Sequence, residues 1–189
     1  WSSIRSLTEQ QDAILPYGGA GCFNDMDMLI VGMHGKGNVG LAGCSDVQYQ
    51  THYALWAFLG PPLMIGCDIR EMSDETRRIL MNDEMIRINQ DPLCRQPYKV
   101  KNHAWNDNVL IYVKALANGN LAIGMFNLSD EKSRAAMNLD EIGLPFSTGR
   151  TLELTEVWTC ENLCANNASL VTELEPFASK VYRAKVVKL

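Results

Sequence analysis

The chain has 189 residues, of which 47% are hydrophobic, enough for one domain or two smaller ones with packed cores. Its formal charge of -5, without any Lys/Arg block, excludes a nucleic acid backbone or an anionic membrane surface as the main partner. No apolar run approaches the roughly 20 residues that span a bilayer, and residues 1–17 are typical of an amphipathic helix and not of a signal peptide. The composition favours a globular protein that acts on neutral small molecules or sugars, and it leaves the cellular location open.

Cysteine usage gives no sign of a metal site or of a disulfide scaffold. The six cysteines are spread along the chain, without a CxxC pair of zinc spacing. We expect most of them to be buried thiols, and we predict no metal and no cofactor. Cys160 and Cys164 form the one close pair, for which a local disulfide and two unlinked loop thiols both remain open.

Residues 1 to about 91 show the pattern of an α/β protein, in which helical periods alternate with short apolar runs beside glycine or proline. A helix is predicted from Trp1 to the Pro16-Tyr17-Gly18 stop, and a strand is predicted over Asp27–Val31. The glycine-rich stretch Gly32–Gly43 has too few apolar residues to pack by itself, and it predicts a long loop.

A second helix and a second strand are predicted after this loop. Ser45 and Gln48 match a capping box at the start of a helix that runs to about Leu59. The continuously apolar run Leu63–Cys67 is typical of a parallel strand buried on both faces. Two further helical segments are predicted downstream, at residues 73–81 and 84–89. This half of the chain therefore contains only about two βα repeats.

Beyond Pro92 and Pro97 the apolar period changes to two, as in antiparallel β structure. Val109–Val113 and Leu121–Phe126 predict a hairpin with an Asn-Gly turn. More strands are predicted at residues 135–139, 151–158, 169–174 and 179–187. We predict two domains: an α/β domain over residues 1–93 and an antiparallel, Greek-key-like β-sandwich over residues 94–189.

The densest group of polar side chains, Asn24, Asp25 and Asp27, precedes the first predicted strand. Two interpretations remain open. Asn and Asp before a strand are commonly turn residues that bond nearby backbone amides. Residues at i and i+2 of an extended segment point to the same side, so Asp25 and Asp27 could instead converge on one ligand, such as the hydroxyls of a sugar.

The segment 22–32, with the sequence CFNDMDMLIVG, is similar to the WNDPDML-type motif of glycoside hydrolase family 27. The flanking segments resemble the same family in the same order, at residues 1–4, 49–56, 62–70 and 88–93. The β half resembles it in position, in pattern and in its ending over residues 176–182. Phe23, Met26 and Cys94 depart from the family's usual Trp, Pro and Gly, but none of these changes removes a hydroxyl ligand.

This resemblance implies that residues 1–93 are the last βα units of a TIM (β/α)8 barrel and that the β-sandwich follows it. Members of the family remove terminal α-linked galactose or N-acetylgalactosamine with retention. The resemblance places both catalytic carboxylates upstream, so we expect no catalytic residue within this chain. It implies that Asp27 accepts hydrogen bonds from sugar hydroxyls beside Met28, and that Asn24 and Asp25 support the site.

Other polar and aromatic residues are weaker candidates. Asp68 follows the second predicted strand at the face where barrels carry their active sites, so it is a supporting candidate. His34 is expected to be a solvated loop residue, and His52 to serve helix packing or a structural hydrogen bond. Three tryptophans are expected to be core or interface residues and not sugar platforms: Trp56, Trp105 and Trp158.

Two functional hypotheses follow. In the first, the chain is part of a retaining α-galactosidase or α-N-acetylgalactosaminidase and is inactive alone. Because two βα units cannot close an eight-stranded barrel, either a missing N-terminal barrel segment or self-association must cover their apolar faces. In the second, the chain is a non-catalytic carbohydrate-binding or structural module.

Overall fold

A computed structural model of the protein describes residues 1–37, 42–165 and 168–189. The chain forms two compact units, Trp1–Gln96 and Pro97–Leu189. The first unit is built mainly of helices, and the second is built of antiparallel strands. Part of the predicted glycine-rich loop, residues 38–41, lies outside the described residues.

Four α-helices shape the first unit. Helix α1 begins at Ser2, one residue after the predicted start at Trp1, and passes at Leu15 into one turn of 3-10 helix that contains Pro16. The capping box predicted at Ser45 is present: the Ser45 hydroxyl accepts from the Gln48 amide, and the Gln48 side chain accepts from the Ser45 amide. The α-helices are α1 (Ser2–Ile14), α2 (Asp46–Leu59), α3 (Asp74–Leu80) and α4 (Asp83–Asn89).

Helix α2 is the central element of this unit. Every residue from Thr51 to Leu59 is buried, so the helix is enclosed on all sides instead of lying on the surface. Gly60 ends it in a left-handed conformation that glycine adopts without strain. Ser73 and Asn82 cap α3 and α4 by accepting hydrogen bonds from backbone amides. These caps explain why the short helices begin where they do.

The two strands predicted in this unit are much shorter than expected. Asp27–Val31 and Leu63–Cys67 meet in a single parallel bridge between Leu29 and Ile65. The Leu29 amide donates to the Met64 carbonyl at 2.8 Å, and the Gly66 amide donates to the Leu29 carbonyl at 2.9 Å. Within the described residues each segment pairs on one side only, whereas a strand inside a parallel sheet has neighbours on both sides. The prediction of two full strands was therefore wrong, although their parallel pairing was right.

The second unit consists of two antiparallel sheets. A six-stranded sheet has the order β1-β2-β3-β8-β5-β6, and β4 pairs with β7 in a second sheet. The strands are β1 (Tyr98–Val100), β2 (Val109–Ala115), β3 (Leu121–Asn127), β4 (Ser133–Asn138), β5 (Arg150–Glu156), β6 (Asn162–Cys164), β7 (Ser169–Leu174) and β8 (Ser179–Lys188). Strand β8 is central because it joins the β2-β3 hairpin to β5.

A single apolar core lies between these two sheets. Ile111, Ile123 and Leu154 of the larger sheet are at most 1% exposed, and they belong to the same cluster as Met137 and Leu170 of the smaller sheet. The predicted hairpin is confirmed, with Val113 opposite Ile123 and Gly119 in the left-handed conformation of the Asn-Gly turn. The second unit is therefore a closed sandwich.

The cysteines differ from the prediction that most are buried thiols. All six are free, so the pair Cys160 and Cys164 is not linked. Three of the six are exposed and the other three are half-buried. Cys160 lies in the turn after β5, and Cys164 ends β6 at the edge of the sheet, where side chains face solvent.

Candidate functional site

The polar segment before Leu29 is folded as a turn. Asn24 donates through its Nδ2 to the Ile14 carbonyl at 2.8 Å, which ties the turn to the end of α1. Asp25 accepts the Asp27 amide on its Oδ1 at 2.9 Å. Asp27 has a positive φ, so the backbone is not extended there, and these contacts do not support the alternative in which Asp25 and Asp27 converge by i, i+2 geometry. The turn interpretation of Asn24 and Asp25 agrees with these contacts.

Asp27 has an unusual backbone conformation at the mouth of the bridge. Its φ is 71°, in the left-handed region that few residues other than glycine adopt. Its Oδ1 accepts the Met28 amide at 2.7 Å, and the side chain is exposed. Within the described residues the other carboxylate oxygen has no hydrogen-bond partner, so it can accept from a ligand.

Two side chains of helix α2 bond the backbone of Asp27 and of Ile30. Trp56 donates from its Nε1 to the Asp27 carbonyl at 2.9 Å. His52 accepts the Ile30 amide on its Nε2 at 3.1 Å, so this nitrogen carries no proton. The two rings lie edge to face, with their centroids 4.1 Å apart. The expected structural role of His52 is therefore confirmed.

The imidazole of His52 is uncharged at neutral pH. Burial lowers the pKa of its imidazole to about 3, because the charged form loses its hydration. Because Nε2 is the acceptor, the proton lies on Nδ1, which is buried and has no hydrogen-bond partner among the described residues. The imidazole thus keeps one tautomer, fixed by its bond to the Ile30 amide.

A cavity of about 300 Å³ opens beside Asp27 and Met28. Most of its wall is apolar or aromatic, and Met28 exposes 40% of its surface there. Of the described residues that line this cavity, Asp27 is the one carboxylate: the lining is Ser3, Ile4, Leu7, Asp27, Met28, Ile30, Met33, Gly35, Gly43, His52 and Trp56. An apolar wall with one charged acceptor is typical of a site for a small ligand.

The ends of the glycine-rich loop meet beside this cavity. The Tyr49 hydroxyl accepts the amides of His34 at 2.8 Å and Cys44 at 3.2 Å. A Cβ placed on Gly43 would lie only 2.6 Å from the Gly35 amide nitrogen, so the two ends approach too closely for a side chain at residue 43. The His34 ring, about half exposed, lies 3.9 Å from Asp46 and edge-on to Tyr49.

Asp68 does not line the cavity of Asp27. It lines a second cavity with Lys36 and Glu71, and both of its carboxylate oxygens bond the Arg70 guanidinium, at 2.9 and 2.6 Å. This pairing lowers the pKa of Asp68 below its ordinary value. The structure therefore does not bring Asp68 into the cavity of Asp27, and its supporting role stays a prediction.

The tryptophans do not share one environment. Trp56 is 1% exposed, as expected of a core residue, but its bond to Asp27 was not foreseen. Its spacing of four residues from His52 is the signal that could have indicated a shared face of α2. Trp105 is 82% exposed with the Lys101 ammonium 4.6 Å from its ring, so its expected core or interface position is not found within its unit.

The described residues contain neither a metal-binding cluster nor a membrane-spanning helix. No group of three His, Cys, Asp or Glu side chains there is placed to hold a metal ion. No helix in the same ranges is long and apolar enough to cross a membrane.

Both halves of the chain match profiles from one class of protein. The profile described as "Alpha galactosidase A" covers residues 1–91. The profile described as "Alpha galactosidase C-terminal beta sandwich domain" covers residues 106–184.

Individual relatives agree with these profiles. An alpha-galactosidase of Oryza sativa is 32% identical over 183 residues, which are 96% of this chain and 40% of that protein. The alpha-N-acetylgalactosaminidase of Gallus gallus is 31% identical over 164 residues, 84% of this chain and 38% of that protein. A crystal structure of a Bacteroides fragilis protein with proposed alpha-galactosidase/melibiase activity has a TM-score of 0.84 and 32% identity, over 96% of this chain and 38% of that one.

These findings define the class as the α-galactosidase type of glycoside hydrolase. The chain belongs to glycoside hydrolase family 27 and corresponds to its C-terminal part. The expected fold class, the last βα units of a TIM barrel followed by an antiparallel β-sandwich, is confirmed. The chain spans about 40% of the length of the curated relatives that it matches.

Proposed function

We propose that this chain is the C-terminal part of a retaining glycosidase that removes terminal α-linked galactose, or N-acetylgalactosamine, from glycosides. In this proposal Asp27 and Met28 form one wall of the sugar site. The observation that carries it is the Asp27 carboxylate, which lies at the mouth of an apolar cavity with one oxygen open to a ligand.

The chemistry of this wall suits a pyranose ring. An ionised carboxylate binds hydroxyl groups more strongly than a neutral acceptor does. The exposed part of Met28 offers apolar surface to the C–H groups of the ring beside those hydroxyls. Asn24 and Asp25 act indirectly in this proposal, because their side chains bond the backbone of the turn that carries Asp27.

We place the two catalytic carboxylates in a segment that precedes Trp1 in the complete protein. Retention needs two carboxyl groups about 5 Å apart, one as nucleophile and one as acid/base. Of the described residues that line the cavity, Asp27 alone has a carboxylate, and Asp25 is bonded to the backbone instead. We therefore expect residues 1–189 alone to have no hydrolytic activity.

The same segment would complete the first unit. Met64 and Ile65 are 67% and 46% exposed although they lie at the parallel bridge, and Phe23 is 51% exposed. Apolar groups at an open strand edge favour pairing with a further strand. We propose that the preceding part of the barrel covers them. Self-association of the chain is the competing outcome.

Exchange of Asp27 for Asn tests the proposed site, because Asn keeps the shape of the side chain and removes its charge. The test uses the full-length native protein that contains this chain, called the complete polypeptide below. In it, D27N should weaken competitive inhibition by galactose roughly 10- to 100-fold. The matched control is D130N, the same exchange at an exposed bend of the second unit. Inhibition constants are measured with a chromogenic α-galactoside, and an N-acetylgalactosaminide is assayed in parallel.

An equal effect of D27N and D130N on galactose inhibition would contradict the proposed site. Sugar binding that survives D27N, without hydrolysis by the wild type, would favour the non-catalytic module instead. Self-association is tested by measuring the solution mass of residues 1–189 alone. A dimer that hydrolyses the substrate would contradict the placement of both catalytic carboxylates outside this chain.

A further inference from the structure

Helix α2 presents polar side chains to the turn along one face. Tyr49, His52 and Trp56 are spaced by three and four residues, so they lie on the same side of the helix. Each of them bonds the backbone, and not a side chain, of residues 27–44. This helix thus holds the backbone of the turn and of the adjoining segment through side-chain hydrogen bonds.

Trp56 bonds the carbonyl of Asp27, the residue of this segment that has a left-handed backbone conformation. A left-handed conformation is strained for a residue other than glycine, so it persists only where its surroundings fix it. The bond of the Asp27 carbonyl to the Trp56 indole links residues 29 positions apart in the sequence. Trp56 is 1% exposed, so the packing around its ring limits the movement of the donor.

The bond to His52 fixes the other end of the same segment. Ile30 donates its amide to His52 Nε2, and the Leu29 amide pairs with the Met64 carbonyl. The backbone is therefore held at Asp27, Leu29 and Ile30. Met28 lies between the held positions, and its amide is bound by the Asp27 carboxylate.

We propose that Trp56 and His52 are positioning residues of the sugar site, which fix the backbone of Asp27 and Ile30 and thereby direct the Asp27 carboxylate and Met28 toward the ligand. This inference rests on the proposed function of Asp27. Neither Trp56 nor His52 needs to touch the sugar for this role, because both act through main-chain hydrogen bonds.

Exchange of Trp56 for Phe tests the bond from Trp56 to the Asp27 carbonyl, since it keeps an aromatic ring and removes the indole N–H. The matched control is Y53F on the same helix. The Tyr53 hydroxyl also donates one bond to a backbone carbonyl, that of Leu80 at 3.0 Å, but it lies outside the cavity of Asp27. In the complete polypeptide we expect W56F to raise the galactose inhibition constant roughly 3- to 10-fold, the factor of one lost net hydrogen bond, and Y53F to leave it unchanged.

A second pair of variants tests His52. The Oε1 of Gln can take the place of the acceptor Nε2, whereas Leu offers no acceptor. H52L should weaken galactose inhibition by a similar factor, and H52Q should restore it to within about twofold of the wild type. An inhibition constant does not depend on the fraction of folded enzyme, so a loss of stability alone leaves it unchanged. The two His52 variants also test the positioning role if W56F does not fold.

The outcomes separate this inference from the proposed function. If D27N weakens galactose inhibition while W56F and H52L behave like Y53F, the positioning role is wrong and the proposed site stands. If D27N has no effect, the proposed site itself fails. Equal losses in H52L and H52Q would also overturn the role of the His52 acceptor.

Discussion

The two units of the chain differ in how completely they bury their apolar surface. In residues 97–189 two sheets enclose one core, and residues such as Ile111 and Ile123 are fully buried. In residues 1–96 the stretch of helix α2 from Thr51 to Leu59 is equally buried, but Met64, Ile65 and Ile69 expose between 46% and 67% of their surface. The parallel pairing of this unit is limited to the Leu29–Ile65 bridge among the described residues.

This difference indicates which unit can be stable alone. An antiparallel sandwich satisfies its own strands through hairpins and a facing sheet, so it needs no further partner. A pair of parallel segments gains its stability from neighbours on both sides, which the described residues do not supply. We therefore expect the second unit to be stable alone and the first unit to depend on further neighbours.

Separate production of the two units should have the largest effect. Residues 97–189 should give dispersed amide resonances and one cooperative thermal transition, because their core is complete. Residues 1–96 should give poorly dispersed resonances or aggregate, because their apolar edge remains open. A well-folded, monomeric 1–96 fragment would contradict the comparison.

Truncation of one buried and one exposed side chain sharpens the comparison. Leu154→Ala, at a residue that is 1% exposed, should destabilise the second unit by about 2–5 kcal/mol. Met64→Ala, at a residue that is 67% exposed, should change the stability of the 189-residue chain by less than about 0.5 kcal/mol. Chemical denaturation measures both effects.

The complete polypeptide serves as the control for this pair of substitutions. Leu154→Ala should cost the same there, whereas the cost of Met64→Ala should rise because a further strand would bury this methionine. An unchanged, small cost in the complete polypeptide would show that nothing covers Met64.

The pH dependence of stability should reveal His52 with a smaller effect. Its pKa in the folded protein is lowered from 6.5 to about 3, so folding favours the neutral form. The stabilisation is thus fully present above pH 6.5 and is lost as the pH falls toward 3, by at most about 1.4 kcal/mol for each pH unit. Unfolding of the wild type and of H52Q is compared between pH 7 and pH 5, where carboxylates contribute little.

The expected result is a steeper loss of stability in the wild type than in H52Q, which has no group that titrates at residue 52. Parallel curves for the two proteins would mean that the imidazole is hydrated in solution, and this would contradict its burial.

Local signals predicted much of the fold. The β2-β3 hairpin combines a period of two with an Asn-Gly turn, and α2 begins with a capping box, so both can be recognised within a few residues. Strands β1 and β6 were missed because three residues are too short to show a period. The first predicted strand was too long because its extent depends on neighbouring strands that local sequence does not specify.

The candidate site was predicted in part. Its acidic residues could be found from their density before an apolar run and from the family resemblance. The left-handed φ of Asp27 and its bond to Trp56 could not be predicted. The bond joins residues 29 positions apart, and it depends on how α2 packs. The turn at Asp25 replaced the extended segment because its side chain captures the Asp27 amide.

The most direct test of the account is the intact mass of the native protein from its source, together with its hydrolysis of a chromogenic α-galactoside. We expect a mass well above the 21.1 kDa of this chain, and hydrolysis that is inhibited by galactose. A native protein of 21.1 kDa without hydrolytic activity would contradict the proposed enzyme and favour a non-catalytic module.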